Sequence, residues 1–373
     1  MDEFELDNPE QLPQSEACPE ADIPAPKKEK KKKKRWVRIL LIVLCVLLAI
    51  ALVVAIVATV MVYRWLNMIN RTDGFLETMS SSEMEAYLQS NTDPSDPDFT
   101  GEVLDPDDII WETTPQFQQS EHIVNILLIG SDTRVPGARA RSDSLILCTF
   151  DPKTKTLTMT SLLRDMYLPI PGYQSNRINA SFAFGGIRLL NKTIETNFGI
   201  EIHGNFVIDF TGFADVIDVI GGVEITMTGA EANYMNTYAV ESARKGSFQA
   251  GTYLLDGYEA LTYARMRKID SDFGRAQRQR TVINSAFRKC KNLSATQLYR
   301  LLDQVLPLMT TDMSNSQILG LAGEVIPIMS QLTIKTQHIP ANGTYRNAWV
   351  GNMLVLMPDL EANRRILWSI MGE

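Results

Sequence analysis

Residues 123–165 read IVNILLIGSDTRVPGARARSDSLILCTFDPKTKTLTMTSLLRD, and the fold is decided there. Ile123 to Gly130 is a short apolar run suited to a buried strand. Ser144 to Phe150 is a second such run, and Asp151-Pro152 opens a turn. Thr156 to Leu162 is a third strand, with Leu157, Met159 and Ser161 alternating against Thr156, Thr158 and Thr160. Followed as an up-down-up meander, these runs gather Asp132, Arg141, Asp143, Arg164 and Asp165 at one end of a sheet. Loop-bordered sheet ends are where α/β proteins commonly bind ligands.

Beyond this stretch, Gly185 to Phe198 carries a helical period through Leu190, Ile194 and Phe198. Asn205 to Phe210 reads as a strand, Phe213 to Ile220 as a helix and Val223 to Thr228 as a strand. Asp256 caps a helix running towards Ala264, and Gln277 to Lys289 forms another. Helices dominate Ala295 to Met329, Leu332 to Ile339 returns as a strand, and Leu360 to Met371 closes with a helix. The order predicts an α/β fold: an α/β/α layered domain around a central mixed sheet, spanning 122–373.

Upstream, Ile39 to Val62 is a 24-residue run without charge. As a helix it is about 36 Å long, enough to cross a bilayer core of roughly 30 Å. Lys27, Lys28 and the run Lys30 to Arg35 precede it, while only Arg64 and Arg71 follow before an acidic stretch. Positive-inside reasoning keeps 1–35 cytoplasmic, makes 36–63 a single transmembrane helix and puts 64–373 outside. Residues 64–121 then read as a helical stalk and an acidic, proline-punctuated linker. The acid sits in this tether, since 123–373 holds 25 basic against 22 acidic side chains, and 17 of the basic ones are arginine. The lysine run is accounted for by topology and anionic lipid contact, so no nucleic-acid partner is expected. Four cysteines exclude a disulfide scaffold, and pairing of Cys148 with Cys290 is left open.

The chemistry follows from residue type. Asp132 and Asp143 flank a loop with few histidines nearby, which suits a hard, oxygen-preferring cation, Mg²⁺ above zinc. Simple pairing with Arg134 or Arg141 is the alternative. Arg265, Arg267, Lys268, Arg275, Arg278 and Arg280 form a denser cluster, readable as a solvated basic face or as an anion site. Arginine forks pair bidentately with phosphate oxygens. Arginines facing Mg²⁺ are the arrangement needed to neutralise a pyrophosphate during transfer. No Walker A, Gly-x-Gly-x-x-Gly or Gly-x-Ser-x-Gly motif occurs, which argues against ATP hydrolysis and serine-esterase chemistry.

Seven blocks in order make the chain resemble the LytR-CpsA-Psr family of cell-wall phosphotransferases. They are NILLIGSD (125–132), RSDSLIL (141–147), TSLLRDMYLPIP (160–171), RINASFAFGG (177–186), VIGGVEI (219–225), LLDGYEALTYARMR (254–267) and DFGRAQRQR (272–280). The resemblance implies an extracellular enzyme moving a glycopolymer from a polyisoprenyl-pyrophosphate carrier to peptidoglycan. It implies that Asp132 and Asp143 hold Mg²⁺. Arg141, Arg164, Arg265, Arg267, Arg275, Arg278 and Gln279 would bind the pyrophosphate, and Asp165 and Asn179 would match more structural positions. It also implies an apolar tunnel for the polyprenyl tail, expected around Phe182, Phe184 and Leu190. Leu162-Leu163 and Arg177 depart from the family's usual Ile-Pro and Lys without removing chemistry. Three rival readings are a pyrophosphatase-like hydrolase, a non-catalytic binder of lipid-linked polymer, and a transcriptional regulator. The cytoplasmic 35 residues lack room for a DNA-reading fold.

Overall fold

In the computed structural model, residues 30–71, 79–90, 93, 99, 101–131, 142–291 and 293–372 are described, with backbone alone for 30–43, 45, 81, 90, 295 and 298. The chain divides into two units, Met1–Met61 and Val62–Glu373. The first consists, among its described residues, of helix α1 (Lys30–Met68), which continues into the second. Val46–Met68 is long and apolar enough to cross a membrane.

The second unit continues through β1 (Asn70–Arg71), α2 (Ser81–Ser90), β2 (Glu102–Leu104), β3 (Val124–Ser131), β4 (Ser142–Asp151), β5 (Thr156–Leu162), β6 (Tyr167–Leu168) and β7 (Asn176–Arg177). Then come α3 (Ile178–Phe198), β8 (Gly204–Asp209), α4 (Phe210–Val219), β9 (Val223–Met227), α5 (Gly229–Tyr238), β10 (Gly251–Leu255), α6 (Gly257–Ala264) and α7 (Asp272–Cys290). The chain closes with α8 (Ala295–Val305), β11 (Thr310–Thr311), α9 (Asn315–Val325), β12 (Thr333–Ile339), β13 (Tyr345–Val350), β14 (Met353–Pro358) and α10 (Leu360–Trp368).

The main sheet has the order β1-β11-β8-β3-β4-β5-β12. The expected meander is present: β4 lies antiparallel to β3 (Gly130 opposite Ser144) and to β5 (Ile146 opposite Ser161). β8 adds parallel to β3, and β12 adds parallel to β5. The carboxyl ends of β3, β5, β8 and β12 therefore share one edge with the start of β4.

The sheet's two faces differ. On β3, Leu127 and Ile129 point to one side and are fully buried, as are Leu145 and Leu147 of β4. They pack with Ile187, Leu190, Ile194 and Phe198 of α3 and Leu367 of α10. Each such side chain contributes roughly 1.5–3 kcal/mol of transfer free energy. Leu128, Ile146, Phe206 and Ile208 look the other way, towards α4, α6 and α7, across a cavity. Those helices form a second core with β9 and β10, including Ile217, Val223, Leu255, Tyr263 and Val282. This is the expected α/β/α arrangement.

Local chemistry sets the helix boundaries. The Asp209 carboxylate accepts from Gly212 N at 2.7 Å and starts α4 directly off β8. Asp256 and Glu259 form a capping box that starts α6, as Thr228 and Glu231 do for α5. Gly186, at φ 61°, kinks α3 where a side chain would be strained. At Gly257 a Cβ would run into the Ala214 carbonyl, so glycine lets α6 cross α4 closely.

The stalk differs from the expectation. Leu66 and Ile69 are buried, and β1 adds to the sheet edge parallel to β11. Asp93 accepts from the Arg177 guanidinium and from Leu354 N, and β2 pairs with β13. An acidic, proline-punctuated segment looks like a spacer when its partners, as for Asp93, lie 84 and 261 residues away. A β13–β14 hairpin turns at Gly351 and Asn352, which separate two apolar runs. Cys148 and Cys290 are free thiols, and burial pushes Cys148 up to about 12.

Candidate active site

Asp143 stands near the start of β4, and Arg164 follows β5 by two residues. The antiparallel register puts them side by side, and Arg164 Nη1 donates to Asp143 Oδ1 at 2.7 Å. Arg164 Nε reaches Asp165 Oδ2 at 3.3 Å. Burial alone would lower the Arg164 pKa, but Asp165, Asp272 and Asp143 outweigh it and hold the guanidinium above its ordinary value.

The opposite wall comes from the end of α6 and the start of α7. Arg265 is the C-cap of α6, with its guanidinium 4.2 Å from the centroid of the Phe210 ring. Arg267 is 48% exposed and has Nη2 3.5 Å from Asp143 Oδ1. Arg275 is 5% exposed; its Nη2 pairs with Asp272 Oδ1 at 2.7 Å, while Nε and Nη1 have no partner. Burial, then repulsion from Arg164, brings its pKa down to about 10. Gln279 sits one turn further along α7 on the same face. Asp143, Arg164, Arg265, Arg267, Arg275 and Gln279 thus line one cleft of about 730 Å³.

Arg278 is not brought in. It is turned about 100° from Gln279 around α7, where Nη1 and Nη2 donate to the Asp270 carboxylate at 2.8 and 2.6 Å. Nη2 also donates to the Met266 carbonyl at 2.9 Å, so Arg278 braces the 265–271 segment that carries Arg265 and Arg267. Asp132 and Arg141 lie outside the described residues. Asn179 is buried behind the cleft, its backbone N donating to the Arg164 carbonyl at 3.4 Å. His122, His203 and His338 do not line the cleft.

An apolar cavity of about 250 Å³ adjoins the cleft. Ser144, Phe210, Leu261, Arg265 and Gln279 line both. Apart from Asp209, the rest of its wall is apolar, including Leu128, Ile146, Phe206, Phe213 and Ile283. The residues around which a tunnel is expected lie elsewhere. Phe182 and Leu190 belong to the core on the other face of the sheet, and Phe184 packs with Tyr87 and Tyr173.

Sequence reasoning quoted Asp272 within a block but gave it no role. Its signal is the i,i+3 spacing to Arg275 in the first turn of α7. Asp272 and the buried Asp165 are within hydrogen-bonding distance of each other. Burial, countered by Arg164 and reinforced by Asp272, pushes Asp165 up to about 6. Asp272 is also buried, but the hydrogen bond from Asp165 and the charge of Arg275 hold it below its ordinary value.

The sign for stability follows. A raised Asp165 contributes stability that is complete below about pH 4 and lost as pH rises through about 6. Asp272, lowered, contributes stability present above about pH 4 and lost only in stronger acid. Folding stability is therefore expected to fall by on the order of 2–3 kcal/mol between pH 4 and 7 from Asp165. Asp165→Asn, which keeps a donor towards Asp272, flattens that slope. Urea midpoints at four pH values check it, and an unchanged slope in the variant would reject the assignment.

Among the described residues no group of three or more His, Cys, Asp or Glu gathers into a metal cage. One cleft carboxylate does fit Mg²⁺, which is commonly held by one or two carboxylates together with substrate phosphates and water.

The sequence profile of the LytR_cpsA_psr family matches residues 79–366. The polyisoprenyl-teichoic acid–peptidoglycan teichoic acid transferase TagT of Bacillus subtilis (strain 168) is 36% identical over 188 residues, 49% of this chain and 58% of TagT. TagU of Oceanobacillus iheyensis, with the same full name, is 33% identical over 258 residues, 67% of this chain and 76% of TagU. Among solved structures, the LytR-CPS2A-psr family protein YwtF (TagT) with bound octaprenyl pyrophosphate lipid matches with a TM-score of 0.52 and 25% identity. That match covers 69% of this chain and 94% of the solved one. With the profile running over most of the chain and the same layered fold beneath it, the chain belongs to the LytR-CpsA-Psr family.

Proposed function

We propose that the chain is a membrane-anchored phosphotransferase that moves a glycopolymer from a polyisoprenyl-pyrophosphate carrier onto peptidoglycan. The observation that carries this is adjacency: an apolar cavity and an arginine-lined cleft share five lining residues. One amphiphile can lie with its first isoprenyl units in the cavity and its pyrophosphate among Arg164, Arg265, Arg267 and Arg275. The names of TagT and TagU, and the octaprenyl pyrophosphate in the TagT structure, support the same reading. The lysines ahead of the apolar run argue for a cytoplasmic N-terminus and an external domain, where the acceptor is.

In the reaction, an acceptor hydroxyl oxygen attacks the phosphorus that bears the glycan. The new P–O bond forms as the bond to the bridging oxygen breaks, and polyprenyl monophosphate leaves with that electron pair. The hydroxyl proton passes to a carboxylate, Asp143 being the one that lines the described cleft. Arginine forks meet the charge that spreads over the equatorial oxygens, so catalysis is mostly positioning and electrostatics. Asp143, with Asp132 next to Ser131 in the chain, would hold Mg²⁺, which supplies further positive charge when bound. No protein nucleophile is needed, and the buried, high-pKa Cys148 thiol fits none.

The test uses the full-length chain in nanodiscs with a labelled polyisoprenyl-pyrophosphate glycan, Mg²⁺ and nascent peptidoglycan. Label is expected in the glycan strands, with polyprenyl monophosphate released, and chelation by EDTA is expected to lower the rate at least tenfold, about 1.4 kcal/mol of barrier. Free glycan phosphate with no label in peptidoglycan would make the protein a hydrolase. Tight donor binding with no product would make it a binding module.

A further inference from the structure

The edge of the sheet opposite the cleft carries an apolar segment that the fold leaves uncovered. β11 runs antiparallel to β8, so Asp312, just past its end, meets the start of β8, where its carboxylate accepts from Asn205 N at 2.8 Å. β12 begins on the same edge, with Thr333 opposite Thr156 at the start of β5. Helix α9 and the 3-10 turn Ile326–Gln331 join these two points and so lie along that edge.

Residues 313–334 contain one charged side chain, Glu324. The segment is rich in apolar side chains, yet none of the described residues 315–331 is buried. Leu319 is 42% and Ile326 60% exposed. At about 100° per residue these two share one side of the helix with Gly323, while Gln317 and Glu324 fall on the other. A Cβ at Gly320 or Gly323 would meet nothing within 4 Å, so the helix faces open space there. An uncovered apolar face of this kind marks a contact surface.

What covers it is indicated by α1, which arrives at the same edge. Leu66 in its last turn is buried, and its carbonyl accepts from Arg71 Nη2 at 3.3 Å. Arg71 also donates to the Met313 carbonyl and to Asn315 Oδ1 at the start of α9. A groove of about 450 Å³ is lined by both segments, including Leu66, Asn67, Arg71, Ser314 and Gln317. Trp65 lies against Tyr299 with ring centroids 5.3 Å apart, and Tyr63 is 56% exposed. Such rings sit at head-group level where a span leaves the bilayer. The apolar run Val46–Met68 therefore ends beside the start of α9.

We infer that α9 and the turn after it rest in the surface of the bilayer that α1 spans, with Leu319 and Ile326 entering the boundary between head groups and acyl chains. The inference rests on α1 as a membrane span and goes beyond the proposed chemistry, since it holds whatever the cleft catalyses. A helix lying flat at the surface binds through the apolar area it buries. The tether through α1 keeps α9 near the bilayer, so a short helix suffices. Lys155, which donates to Gln331 at the end of the segment, stands on the same edge, suited to anionic head groups. Two attachments, the span and α9, then set how the domain stands on the membrane, with its cleft edge directed away.

The experiment places a photoreactive benzophenone amino acid, one position at a time, at Leu319, Ile326, Val240 and Leu52 of the full-length chain in nanodiscs of phosphatidylcholine and phosphatidylglycerol. Lipid adducts are read by intact mass after irradiation. Val240 is 60% exposed, as Ile326 is, but stands two residues from the cleft residue Tyr238. Leu52 lies within the span. Leu319 and Ile326 are expected to give lipid adducts at least about fivefold above Val240. With the probe at Ile326, Leu319→Asp is expected to lower that yield at least about threefold. Yields no higher than at Val240, or a yield at Ile326 indifferent to Leu319→Asp, would overturn the docking. Protein–protein adducts in place of lipid adducts would overturn it too, and make the face an interface between copies. If Leu52 gave no lipid adduct, the span itself would fall, and the docking with it. A thermal midpoint on each variant separates misfolding from lost contact.

Discussion

Arg267→Ala is expected to lower kcat/KM for glycan transfer about a thousandfold, roughly 4 kcal/mol of transition-state stabilisation, with the folded state as stable as before. The argument is one of position. Arg267 is 48% exposed and among the described residues has one ion-pair contact, Asp143 at 3.5 Å, a distance too long to stabilise the resting protein appreciably. Its neighbour Arg265 is braced over Phe210, and Arg164 is tied to Asp143 and Asp165. Arg267 is therefore the cleft arginine with most freedom to close on developing phosphate charge. Arg267→Lys should restore only part of the rate, because an ammonium cannot bridge two oxygens in one plane. Initial rates of label transfer with full-length protein in nanodiscs check this, with the urea midpoint measured alongside. A loss below tenfold would move the electrostatic burden to the other three arginines.

What the sequence made legible here is what local pattern encodes. The three runs from Ile123 to Leu162 pair as a meander because their turn chemistry and apolar content admit little else. That pairing alone brings Asp143 next to Arg164. The cavity was not legible. Leu128, Ile146 and Phe206 belong to runs apolar on both faces, and nothing in period 2 says that one face meets helices directly while the other meets a space. Resemblance supplied the arginines but not their directions, which depend on where each falls around α7.

That directional difference yields the sharper contrast, between two arginines three residues apart. Arg278→Met is expected to destabilise the domain by about 3 kcal/mol. It removes a guanidinium that is 4% exposed and bonded to Asp270 and the Met266 carbonyl, with Glu231 3.6 Å away, and it leaves those groups unmatched. The figure lies at the low end for a buried pair because Asp270 is 40% exposed and regains water. Arg275→Met is expected to leave stability within about 1 kcal/mol of native or to raise it. Two of its guanidinium nitrogens are buried without partners, and its lowered pKa reports the cost of holding charge there. Its loss should instead appear in transfer, a fall of at least about a hundredfold. A buried arginine on a cleft wall with two unpartnered nitrogens is a charge kept at a cost for an anion that arrives later, whereas Arg278, whose two terminal nitrogens are both bonded, is part of the frame. Urea midpoints and transfer rates for both variants decide between these roles. Should Arg278→Met fold as stably as the native chain and fail in transfer as Arg275→Met does, then Arg278 swings from Asp270 to the donor, and the resting arrangement of 265–271 is not the one that reacts.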